Sequence, residues 1–144
     1  MADTTNQLHV RLVTPERILF DSPAAAVDLP SKSGMMEVLY GAAPLLAELG
    51  AGDVTLHGAS SESGGGDQRW NVSWGFVEVL PDRVTILASD ALKPEEIDVG
   101  RAKEQLDRGN KMWNEAGDRE EAYTAALHVI AEAEAKLASA GQKK

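Results

Sequence analysis

The stretch Phe76-Val77-Glu78-Val79-Leu80-Pro81-Asp82-Arg83-Val84-Thr85-Ile86-Leu87-Ala88, followed by Ser89-Asp90-Ala91-Leu92-Lys93-Pro94-Glu95-Glu96-Ile97-Asp98-Val99-Gly100-Arg101-Ala102, contains a change of period. Up to Ala88 apolar and polar residues alternate, and Pro81-Asp82-Arg83 interrupts the alternation as a turn does. This predicts a β-hairpin. From Pro94 the spacing is helical. Proline is tolerated in a first helical turn, and Glu95 and Glu96 suit the positive end of a helix dipole. Ile97, Arg101/Ala102, Gln105/Leu106 and Gly109 then recur three to four apart.

Towards the N-terminus the strand period continues. Leu8, Val10 and Leu12 share one face, and Trp70, Val72 and Trp74 share another. Further short strands are expected at Arg17 to Asp21, Ala25 to Leu29, Met35 to Leu39 and Asp53 to His57, with Gly50-Ala51-Gly52 as a turn and Ser60 to Asp67 as a polar hairpin loop. Towards the C-terminus, Gly117-Asp118 breaks the first helix. Asp118 and Glu121 have capping-box spacing for a second helix, with Tyr123, Leu127, Ile130 and Leu137 as its apolar stripe. Five of six prolines and nine of thirteen glycines precede Leu92, whereas ten alanines follow it, so strands come first and helices second. The expected fold is α+β: an N-terminal β-sandwich or flattened barrel over residues 1–92, then an antiparallel two-helix hairpin over 93–144.

The chain has 144 residues, no cysteine and a formal net charge of −9. Thiol chemistry and disulfide scaffolds are excluded, and so many negative charges disfavour nucleic acid as a partner. No apolar run approaches the roughly 20 residues of a membrane helix. No secretory or transit-like leader precedes the first strand, which points to a reducing compartment. His9, His57 and His128 stand in no nucleophile or metal-ligand spacing and read as structural or surface residues; no metal site is expected. Gly50-Ala51-Gly52 lacks the following helix that a phosphate-binding turn needs. Asp98 and Arg101 share a helix face, and a guanidinium there grips a phosphate in two parallel hydrogen bonds or, more simply, pairs with Asp98 at the surface.

Gly34-Met35-Met36-Glu37-Val38-Leu39-Tyr40-Gly41-Ala42-Ala43-Pro44-Leu45-Leu46 resembles the Gly-x-x-Gly-Ile-x-Pro-Gly-His-x-Pro-Leu stretch of the epsilon subunits of rotary F-type ATP synthases. Ser73-Trp74-Gly75-Phe76-Val77-Glu78-Val79 with the strand after Pro81 is similar to that family's Ser-Gly-Gly-x-x-Glu-Val hairpin. Val13-Thr14-Pro15-Glu16 resembles its opening strand, and Ile97-Asp98-x-x-Arg101-Ala102 its first-helix motif. The matches run in order across most of the chain. Tyr40, Ala42 and Glu37 depart from the family's Pro, His and Gly, and Trp74 from a Gly.

The resemblance implies a non-catalytic subunit of the central rotor of a proton-translocating synthase, with no enzyme activity and no required cofactor of its own. Its implied partners are the gamma subunit and the c-ring, and transiently the catalytic alpha/beta head. It sits peripherally through those partners on the cytoplasmic face of a bacterial inner membrane, ahead of thylakoid or mitochondrial settings. Met35, Gly41, Ala42, Pro44 and Leu45 are the implied ring and gamma contacts. ATP is a candidate regulatory ligand at Ile97, Asp98, Arg101 and Lys136, where Glu132 opposes a triphosphate. Lys136, Lys143 and Lys144 are candidate inhibitory contacts. The hairpin has few large apolar residues, so residues 93 to 140 are expected to undock readily from an intact sandwich. Two other readings are an ATP-sensing regulatory protein and a ligand-binding sandwich using Trp70 and Trp74 as a platform.

Overall fold

The computed structural model describes residues 7–59 and 66–141. Its strands are β1 (Leu8–Val13), β2 (Ile18–Ala24), β3 (Ala26–Ser31), β4 (Gly34–Leu39), β5 (Leu45–Ala59), β6 (Gly66–Leu80) and β7 (Arg83–Leu92). Among the described residues they form a sheet in the order β2-β1-β7-β6-β5-β3-β4. β1 lies antiparallel to β2 and parallel to β7. Alternation drives this assembly. Leu8, Val10 and Leu12 are fully buried while His9 and Arg11 face outwards, and Val84, Ile86 and Ala88 repeat the pattern in β7. These side chains share one core with Val27, Leu29, Val38, Val54 and Leu56 from the other end of the sheet. The sheet therefore folds over on itself as a sandwich.

The strands at Trp70–Trp74 and Phe76–Leu80, expected to be separate, are one, and β5 extends well beyond Asp53–His57. The two long strands pass from one layer of the sandwich to the other. Their pairing keeps one register from Leu45 opposite Val79 to Leu56 opposite Gln68, with Leu49 opposite Gly75 and Ala51 opposite Ser73, and shifts only between Leu56 and Ala59. The inward parity nevertheless switches, from Trp70 and Val72 to Val77 and Val79 in β6, and from Leu49 to Val54 and Leu56 in β5.

 At the crossing Trp74 takes a φ of 60° and Gly75 one of 132°. These two positive φ values mark a local kink at which the facing changes without ending the strand or shifting its register. Trp70 and Trp74 consequently form no exposed aromatic platform: Trp70 is only 6 % exposed and belongs to the core. Gly50-Ala51-Gly52, expected as a turn, lies inside β5. A Cβ on Gly50 would stand 3.0 Å from the Ser31 carbonyl oxygen and one on Gly52 3.1 Å from Pro30 Cβ, so these glycines let β5 pass close to β3. Of the Ser60–Asp67 loop, residues 60–65 lie outside the described residues, while Gly66 and Asp67 open β6.

The chain divides into two compact units between Ala91 and Leu92. In the second, the helix does not start at Pro94. Pro94–Glu96 is a single 3₁₀ turn, closed by the Glu96 carboxylate accepting from the Lys93 N–H at 2.8 Å, and Ile97 and Asp98 are extended. Helix α1 (Val99–Ala116) follows, and then α2 (Glu120–Gly141). α2 begins at Glu120, not on an Asp118 capping box. The turn is closed instead by Arg119, whose side chain donates to the Glu115 and Ala116 carbonyls at 3.0 and 3.3 Å, groups that a helix end leaves without intrahelical partners. The expected large apolar stripe of α2 is also corrected: Tyr123 and Leu127 are exposed. The buried positions are small, Ala102, Gly109 and Ala116 on α1 with Ala126, Ala133 and Ser139 on α2. Small residues bring the helices close, to the point that a Cβ on Gly109 would meet Ile130 Cγ1 at 2.8 Å.

Candidate functional site

At one end of the sandwich the chain crosses from β4 to β5 through Tyr40–Pro44. Gly41 has a φ of 90°, a left-handed conformation that glycine adopts without a Cβ penalty. Its N–H donates to the Pro81 carbonyl at 2.7 Å, and the Ala42 N–H donates to Leu39 at 3.2 Å. The crossing is thereby pinned to the β6–β7 turn. Around it apolar side chains face outwards: Leu39, Tyr40, Leu45, and Leu46 at 70 % exposure. Such a cluster on an acidic protein has the character of a contact surface.

Of the residues the sequence singled out here, Gly41, Pro44 and Leu45 are exposed together, whereas Ala42 turns inwards and packs against the core. Met35 is exposed but stands opposite Pro30, four residues along β4 from Leu39. At about 3.3 Å per residue that is some 13 Å from the crossing. Sequence reasoning missed Leu39, Tyr40 and Leu46. It also missed a stripe across the outer face, where half-exposed Ile18 pairs with Val13 and Val13 with Leu87, while Phe76 is half-exposed on the neighbouring strand. The available signal was an apolar residue in the outward phase of an alternating strand.

Of the hairpin residues singled out for a nucleotide, Asp98 and Lys136 have hydrogen-bond partners within the hairpin. Asp98 is the N-cap of α1, its carboxylate accepting the Arg101 backbone N–H at 3.1 Å. Ile97 is buried. Lys136 Nζ lies 3.2 Å from Glu132 Oε1, and Gln105 of α1 donates to the other Glu132 oxygen at 3.2 Å. Glu132 thus ties Lys136 to its own helix and α2 to α1. Lys143 and Lys144 lie outside the described residues.

Two histidines sit among carboxylates. His9 bonds Asp21, which Arg11 also approaches at 3.8 Å. His57 is more tightly held: Nε2 is 2.7 Å from Asp28 of β3 and Nδ1 is 3.1 Å from Asp67 of β6. The hydrogen bond to Asp28 raises the imidazole above its ordinary 6.5; burial opposes it, and the weaker hydrogen bond to Asp67 adds to the rise. Asp67 is lowered, first by the Gly58 N–H it accepts at 3.2 Å and then by His57. Local spacing concealed this cluster, since Asp28 is 29 residues from His57.

Residues 7–94 match the family model described as ATP synthase, Delta/Epsilon chain, beta-sandwich domain. The chain is 40% identical over 119 residues to the ATP synthase epsilon chain of Koribacter versatilis, covering 81% of this chain and 77% of the relative. It is 40% identical over 146 aligned positions to the ATP synthase epsilon chain of Solibacter usitatus, covering 99% and 100%. In fold it resembles a chain of the Euglena gracilis mitochondrial ATP synthase structure containing OSCP, F1 and the c-ring, with a TM-score of 0.75 at 21% identity, over 96% of this chain and 84% of that one.

Proposed function

From the premise that this chain belongs to the ATP synthase epsilon-chain family, we propose that it works as a non-catalytic central-stalk subunit, joining a gamma subunit to a c-ring. The observation that carries this reading is the pinned Tyr40–Pro44 crossing with outward Leu39, Leu45 and Leu46 beside it. A rotor part transmits torque through contacts that do not yield, and a crossing hydrogen-bonded to the neighbouring turn is a stiff contact. The outer stripe of Ile18, Leu87 and Phe76 is a second apolar surface of the kind a permanent partner covers. We assign ring contact to Gly41, Pro44 and Leu45, with Ala42 positioning the crossing from beneath and Met35 belonging to a separate surface on the edge strand.

The protein is peripheral to the membrane through its partners; among the described residues no helix is long and apolar enough to cross one. The bacterial relatives favour the cytoplasmic face of a bacterial inner membrane. Residues 93–144 form the regulatory part in this reading, meeting the catalytic head through Lys136, Lys143 and Lys144. The reading requires no cofactor. ATP as a regulatory ligand is disfavoured: a triphosphate reaching Lys136 would have to displace the Glu132 carboxylate, and Asp98 is engaged in capping α1. Titration calorimetry with Mg-free ATP separates this reading from a nucleotide sensor.

The test is assembly and ATPase activity of the complete complex with the full chain and with residues 93–144 removed. Both forms should co-purify with gamma and the ring, and hydrolysis should rise on truncation. A full chain that stays outside the complex would refute the stalk assignment. Unchanged hydrolysis would refute the inhibitory part alone.

A further inference from the structure

We propose that His57, Asp28 and Asp67 form a proton-operated clamp that ties the end of β5 to β3 and to the start of β6 when His57 is an imidazolium and releases Asp67 when it is neutral. The argument starts from donors. Both ring nitrogens of His57 lie within hydrogen-bond distance of a carboxylate oxygen, 2.7 Å to Asp28 and 3.1 Å to Asp67. An ionised carboxylate only accepts, and a neutral imidazole carries one N–H. The two bonds can coexist only if His57 holds two protons. On losing one, the imidazole keeps the N–H that faces Asp28, the shorter contact and the less exposed carboxylate. Its Nδ1 lone pair then faces the Asp67 oxygen, and two acceptors repel. Asp67 is the more exposed partner and the one that hydrates readily.

The surroundings reinforce this. On β3, Asp28 is opposite Glu37 of β4, which adds negative charge to the same row. On β6, Arg69 stands opposite Thr55 and its guanidinium is held by Asp53 at 3.4 Å. The carboxylates nearest the ring are Asp28 and Asp67, and both act to keep the proton on it. Asp67 also accepts the Gly58 N–H, so the same carboxylate joins the ring of β5, the backbone of β5 and the start of β6. The clamp lies on the ladder that leads to the crossing: His57 is opposite Ala26, and Ala26 is opposite Leu39, the last residue before Tyr40–Pro44. The clamp does not depend on the stalk assignment, and its test on the isolated full chain can fail while that assignment stands.

The sign follows from linkage. A group whose folded value is raised contributes stability that is fully present below its unfolded value, here 6.5, and is lost as pH rises through the folded value. The closing equilibrium should weaken about tenfold for each unit by which the His57 midpoint exceeds that of the open state, in which the ring keeps Asp28 and has lost Asp67; Asp67→Ala supplies that open-state midpoint. Nitrogen-15 NMR of the full chain measures that midpoint and the tautomer, and hydrogen exchange at the Gly58 amide, corrected for the intrinsic base-catalysed rate, measures closing. We expect two protonated ring nitrogens below the midpoint, the Nε2–H tautomer above it, and Gly58 protection falling across it by the linked factor. Asp67→Asn supplies the second variant. Its amide can donate to the neutral ring nitrogen while its oxygen keeps the Gly58 bond, so protection should persist at high pH. A midpoint at or below 6.5, or the same pH-dependent loss in Asp67→Asn, would overturn the proposal.

Discussion

Trp74 carries a backbone conformation that suits glycine, and the family's hairpin pattern has glycine at this position. Its φ of 60° costs an L-residue about 1–2 kcal/mol. In an ordinary strand, Ala is the better substitute than Gly. Here Trp74→Gly and Trp74→Ala lose the same indole, but only the glycine relieves the backbone. Trp74→Gly should therefore be the more stable of the two by about 1 kcal/mol in urea denaturation. The usual order, Ala above Gly, would show that position 74 carries no strain. The neighbouring Gly75 admits no such latitude, because a Cβ there would stand 1.9 Å from the Leu87 carbonyl oxygen. The sequence made the Ser73-Trp74-Gly75 motif visible; that it changes the facing of a continuous strand was not visible, since alternation on each side of such a kink looks like two strands.

The helical hairpin shows how one residue type acts oppositely within one element. Gly100 and Gly109 both lie in α1, where glycine lowers helix stability. At Gly100 the nearest atom to an added Cβ is Asp98 Oδ1 at 3.4 Å, an ordinary contact, so Gly100→Ala should stabilise by about 0.4–1 kcal/mol. At Gly109 the Cβ would meet Ile130 Cγ1 at 2.8 Å and the Ile130 backbone nitrogen at 3.2 Å. Forcing α2 away there should cost about 1–3 kcal/mol. Thermal melts followed by helical ellipticity should move in opposite directions for the two variants. Equal shifts would mean that the helices are not closely packed at Gly109. Helical periodicity was legible from Ile97 onwards. The inner face was misread because hydrophobicity marks Tyr123 and Leu127, whereas close helix approach selects Gly and Ala.

The whole molecule divides its apolar burial unequally. The sandwich core draws only on residues from Leu8 to Ala91 and holds most of the large buried side chains. Among the described residues of the second unit, the buried apolar side chains are Pro94, Ile97 and four alanines, which remove little area from water. A chain ending at residue 92 should keep a cooperative thermal transition and a β-type far-UV spectrum. Residues 93–144 alone should be frayed, as short helices with little buried area are. Loss of cooperativity in the 1–92 chain would show that the sandwich depends on the helices.

By itself the sequence determined the two kinds of unit, the junction near Leu92 and the family, because periodicity and short motifs are local and survive without coordinates. Only the tertiary structure decided that β5 and β6 run through both layers, that Glu132 engages Lys136 and Gln105, that Ala42 faces inwards, and that His57 is held between Asp28 and Asp67. The physical reason is range. A side chain's periodic position depends on its near neighbours in the chain, but its hydrogen-bond partners are set by sheet order and helix packing, which bring together residues separated by tens of positions.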